Sequence, residues 1–110
     1  MTTFVVHLTE PSAPPENVTG HNSSSTSILV KWHDVPASDQ NGIVLTYTIT
    51  YESVREYHNG NVTVNYPDHQ TNLTGLREYV NYSITVFAST VKGRGPASVP
   101  IIVITDQDSK

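Results

Sequence analysis

The chain has 110 residues, 36% of them hydrophobic, with six basic and ten acidic side chains and a net charge of −4. That length suits one domain around one core, and the scattered acidic excess excludes the basic stripe that a nucleic-acid surface needs. Cysteine is absent, so disulfides, thiol chemistry and Cys-ligated zinc are removed and packing alone must hold the fold.

In chain order, Phe4-Val5-Val6-His7-Leu8-Thr9 reads as the last strand of a preceding domain, or its remnant. It is too short for a signal-peptide core, and no run in the chain is long enough to cross a membrane. If the protein is exported, these residues belong to a longer polypeptide and Met1 is an expression start. Proline lacks a backbone N–H and fixes φ, so Pro11, Pro14 and Pro15 favour a stiff extended linker. Residues 1–13 are therefore expected as remnant and linker, 14–105 as the domain, and 106–110 as a tail or further linker.

Alternation dominates the rest. Ile28, Val30 and Trp32 share one strand face, with Leu29 and Lys31 opposite. Leu45, Tyr47, Ile49 and Tyr51 alternate with Thr46, Thr48 and Thr50, a β-branched outer face. Val62 and Val64 follow His58-Asn59-Gly60, whose Asn-Gly pair signals a hairpin turn. Tyr82, Ile84, Val86 and Ala88 face one way, with Asn81, Ser83, Thr85 and Phe87 opposite. Ile101 and Val103 point inward on the last strand, leaving Ile102 and Ile104 outward. No window has a helical period, and turn signals sit at Pro36 to Gly42, Pro67-Asp68, Gly75 and Gly93 to Pro96. Seven short strands at this spacing predict an all-β, seven-stranded antiparallel Ig-like sandwich.

These residues resemble a fibronectin type III domain over roughly Pro14 to Thr105. The likeness rests on the Pro14-Pro15 opening, Ser27 to Trp32, and Gly42-Ile43 leading to Tyr47, Ile49 and Tyr51. It continues through Leu73-Thr74-Gly75-Leu76, Tyr82 six residues later, and Ile84, Val86 and Ala88. Gly93-Arg94-Gly95-Pro96, Ser98 and Ile101 to Thr105 complete it. The resemblance implies that Trp32 and Tyr47 lie in the core. It also implies that Tyr82 forms a tyrosine corner, its hydroxyl bonding backbone near Leu76. Glu78 and Asn81 stand where family members often carry Pro and Thr. One member of the family carries an integrin-binding Arg-Gly-Asp in the loop equivalent to Lys92-Gly93-Arg94-Gly95. No Asp follows here, so that activity is not implied.

Five Asn-x-Ser/Thr triplets, the acceptor pattern for N-glycans, begin at Asn17, Asn22, Asn61, Asn72 and Asn81. Eight asparagines and 25 serines plus threonines in 110 residues would give about two by chance. The excess points to an extracellular glycoprotein. His7, His21, His33, His58 and His69 share no metal-ligand spacing, and His33-Asp34 with Asp39 lacks the dense carboxylates of a Ca²⁺ loop. No nucleophile elbow or phosphate-cradling loop occurs. A sandwich of this size offers no deep pocket to perturb Glu52 with Glu56, or Asp106 with Asp108. No catalytic, metal or cofactor site is expected.

The basic pair Lys92 and Arg94, and an outward apolar group of Phe87, Ile102 and Ile104, are the candidate contact residues. An odd number of hairpin-linked strands puts the termini at opposite ends, which suits a linear array. The expected role is a spacer and interaction module of a multidomain cell-surface receptor or adhesion protein, whose partners are its neighbouring domains and another extracellular protein. A ligand-docking receptor domain or a matrix glycoprotein module is the alternative. The sequon excess speaks against an intracellular muscle or cytoskeletal sandwich.

Overall fold

Strand β2, Ser27–His33, shows how the sequence writes the architecture. Its Ile28, Val30 and Trp32 are buried while Lys31 and His33 stay in water, the period-two pattern of a sheet with one solvated face. The computed structural model describes residues 8–55 and 57–107. The other described strands are β1 (Glu16–Ser24), β3 (Thr46–Ser53), β4 (Asn59–Asn65), β5 (Gln70–Leu73), β6 (Asn81–Thr90), β7 (Gly93–Arg94) and β8 (Ile101–Ile104). All pairings are antiparallel. One sheet runs β1-β2-β5; the other runs β4-β3-β6, with β7 and β8 both on the far side of β6.

The described strands number eight where seven are expected, and proline explains the difference. Arg94 pairs with Ser89 and Ile101 with Ile84. Between them the chain still follows β6, because Gly95 N–H donates to Ala88 O and Ser98 N–H to Val86 O, each at 2.8 Å. Pro96 and Pro100 have no N–H to give, so the ladder breaks and one strand becomes two.

The core lies between the sheets. Ile28, Val30, Trp32 and Leu73 from one side meet Tyr47, Ile49, Tyr82, Ile84, Val86 and Ala88 from the other. Leu45 departs from its expected inward place: it precedes β3 and is exposed. The loop from Pro36 holds one helical turn, α1 (Ala37–Gln40), closed by Asn41 in the left-handed region at φ 59°, a normal C-terminal cap.

Asn59 and Gly60 are strand residues opposite Glu52 and Tyr51, not the centre of the expected turn. A Cβ on Gly60 would lie 2.5 Å from the Tyr51 hydroxyl oxygen. The glycine is there to let a phenol ring cross the strand.

Leu8 and Thr9 lie outside any strand, and Phe4 to His7 fall outside the described residues. The segment expected as a linker is stitched to the domain from Thr9 onward. Thr9 N–H donates to Asn41 O at 3.0 Å and Ser12 N–H to Asp39 O at 2.9 Å. Pro11 is fully buried. At the opposite end Thr105 N–H donates to Val80 O and Asp106 N–H to Ser24 O.

Candidate functional site

All five sequon asparagines are exposed, but their amides differ. Glycan attaches at Nδ2, so what that nitrogen already does matters. In Asn22 it donates to Ile104 O at 3.1 Å, tying β1 of one sheet to β8 of the other. In Asn17, at φ 52° beside a register shift in β1, it lies 2.9 Å from His33 Nδ1. Asn72 uses its oxygen, which accepts from Ser23 Oγ at 2.9 Å. Among the described residues, the side-chain amides of Asn61 and Asn81 make no hydrogen bond.

The expected outward apolar group does not assemble. Phe87 is only 8% exposed, because the Arg94 guanidinium carbon sits 3.8 Å from its ring centroid. Ile102 pairs with Ser83 and Ile104 with Asn81. Phe87 is four positions further along β6, about 13 Å away, since the proline break keeps β8 at the other end of that strand. Ile102 and Ile104 remain exposed by themselves. Arg94 is thereby committed to the Phe87 ring, which leaves Lys92 as the loop's open cation.

Tyr82 is fully buried, and its hydroxyl accepts from Arg77 N–H at 2.9 Å. His58 Nδ1 lies 2.7 Å from the same oxygen. With Arg77 donating, the phenol's own hydrogen is free for the imidazole nitrogen. Trp32 is buried against Tyr47, centroids 5.4 Å apart. Leu76 is buried, its N–H donating to Thr26 O at 2.9 Å.

A polar cluster joins residues far apart in sequence. Asp34 Oδ1 accepts hydrogen bonds from the Tyr47 hydroxyl and from His69 Nε2 at 2.7 Å. Burial by itself raises the Asp34 carboxyl, but the bonds from Tyr47 and His69, with His33 nearby, bring it below its ordinary value. Burial first, and then the Asp34 bond, push the Tyr47 phenol up. Among the described residues no nucleophile adjoins this trio as a hydrogen-bond partner, and the Asp34 and His69 side chains are half in water while Tyr47 is buried. Nothing in the local sequence signals it: Asp34 and His69 are 35 positions apart.

Among the described residues no three His, Asp or Glu side chains come close enough to hold a metal ion. None of the described helices is long and apolar enough to cross a membrane.

Two antiparallel sheets, a core indole and a phenol bonded to backbone five residues upstream define an Ig-like sandwich with a tyrosine corner. The family model for the fibronectin type III domain matches residues 13–104. The chain belongs to that family. It is 43% identical over 101 residues to protein sidekick-1 of Gallus gallus, covering 89% of this chain and 5% of that protein. With receptor-type tyrosine-protein phosphatase F of Bos taurus it shares 38% over 101 residues, again 89% of this chain and 5% of the relative. It thus spans about one-twentieth of these relatives. Among solved structures, an fn3 domain of human contactin 1 is similar at a TM-score of 0.82 and 27% identity, covering 99% of this chain and 90% of that one. The FN1–FN3 domains of chicken CNTN1 are similar at a TM-score of 0.80 and 30% identity, covering 90% and 33%.

Proposed function

We propose that this chain is an extracellular spacer and protein-interaction module of a multidomain cell-surface receptor or adhesion protein, with no catalysis of its own. One observation carries the reading. The backbone is fastened at Thr9–Ser12 at one end of the sandwich and at Thr105–Asp106 at the other, so the domain adds its full length between whatever it joins. The similarity to sidekick-1 and to a receptor-type phosphatase supports placing it in such an array.

Replacing the domain in its parent protein by an unrelated fibronectin type III unit of equal length tests this. A spacer tolerates the exchange but not a deletion; loss of a defined partner on exchange makes it a ligand-docking domain. That second reading draws on Ile102, 59% exposed, and Ile104 beside it on the outer row of β8.

Extracellular placement has its own test. Protein secreted from eukaryotic cells should carry N-glycan, first at Asn61 and Asn81, whose amides are unengaged, and at Asn72. Asn22 should be the poorest site, because its nitrogen bridges the sheets. Complete absence of hexosamine by mass spectrometry would overturn this placement.

A further inference from the structure

Four of the large aliphatic side chains left in water, Leu8, Ile43, Leu45 and Val91, come together at one pole of this molecule, whereas the other exposed apolar residues are spread over the rest of the described surface. Ile43 is 80% exposed and Val91 77%, and with Leu8, Leu45 and the backbone of Gly42 they line a single groove. The outer face of β3, β4 and β6 is different. Thr46, Thr48, Thr50, Thr63 and Thr85 run through it, with Glu52 and the Arg94-covered Phe87 in the same rows, and Thr48 and Thr50 bond across to Thr63 and Thr85. A face made mostly of hydroxyls and amides is at ease in water, whereas a cluster of aliphatic side chains marks a contact.

The groove lies where the chain joins the domain, and the joining segment is fixed. Besides the bonds of Thr9 and Ser12 to the loop ahead of β3, Thr90 Oγ1 donates to Thr9 O at 2.9 Å and Asn41 Nδ2 to Glu10 O at 3.2 Å. Ser12 Oγ donates to Asp39 Oδ1 at 3.1 Å. Pro11 packs where Gly95 has no side chain; a Cβ there would stand 2.7 Å from Pro11 Cβ. This strap sets the direction in which the backbone leaves at Leu8, itself a wall of the groove.

From the groove and the strap together, we infer that this pole is the docking face for the folded unit preceding Leu8 in the same polypeptide, held at one angle. The partner is a domain end with an apolar contact surface and an acidic or carbonyl acceptor at its rim, where Lys92 borders the groove. The tether selects it over a second copy, because a short linker raises the effective concentration of the attached unit to the millimolar range, and the chain leaving at Leu8 already occupies one side of the groove. The inference rests on reading the chain as one unit of an array.

The test uses a fragment of the parent polypeptide that carries the preceding unit and this one. NMR relaxation should give both units one rotational correlation time, and small-angle scattering one interdomain angle. Ile43→Ser with Val91→Ser should split the correlation times and broaden the angle. Both side chains are exposed, so the same pair in the 110-residue chain should leave its melting temperature unchanged. Independent tumbling in the unaltered fragment overturns the fixed joint and leaves the array reading intact, as does tumbling that the substitutions do not alter. Sedimentation of the 110-residue chain as a dimer that the substitutions dissociate would give the groove to a second copy and overturn the inference.

Discussion

The Tyr82 hydroxyl sits 2.7 Å from His58 Nδ1 while it receives the Arg77 N–H, so one buried oxygen joins three separate segments. Tyr82→Phe keeps the ring and strands two groups at once. Leaving a buried donor unsatisfied costs about 1–3 kcal/mol. Urea unfolding should show a loss in that range, and a change below about 0.5 kcal/mol would contradict it.

Trp32→Ala should cost more, about 3–5 kcal/mol, as large-to-small changes in a packed core do. The ring is fully enclosed and packs tilted at 57° against Tyr47. A variant unfolding within about 1 kcal/mol of the parent would take Trp32 out of the core.

Acid should weaken this domain partly through Asp34. Its folded-state pKa lies below the ordinary 3.8, so its stabilisation is complete above that value and is lost as pH falls through the lowered one. Asp34→Asn should flatten the acid limb of a stability profile measured from neutral pH down to about 3. An unchanged limb would show that other carboxylates set it. Tyr47 works in the opposite sense: its contribution is whole below 10.0 and fades as pH rises above it.

Arg94→Ala should uncover the Phe87 ring. The loss expected for a surface cation over an aromatic face is about 0.5–1 kcal/mol. A small increase in binding of an apolar dye should accompany it, and absence of both effects would make the contact incidental.

How much of this was legible follows from which residues speak locally. Trp32, Tyr47, Ile49, Ile84 and Val86 announce their strands by alternation, and all five are buried. β1 is silent, since its positions opposite Val30 and Ile28 are Gly20 and Asn22. The Asn59-Gly60 pair misleads because a dipeptide that suits a tight turn also suits a strand that must let a ring pass. Phe87 looks exposed by parity; its cover, Arg94, arrives seven residues later. Pro11 reads as linker because its burial depends on a loop from residue 39 and a glycine at 95. Proximity made by the tertiary fold leaves no local pattern.

Among the described residues, β4 pairs only with β3 and forms one edge of its sheet. Its residues, Asn59–Asn65, include no charge and no proline, the usual devices against edge-to-edge association. Sugar on Asn61 would serve as a bumper along that rim. Protein from a bacterial host, bare at this position, should therefore scatter more light on concentration than its glycosylated counterpart, and Asn61→Lys in the bacterial protein should abolish that excess.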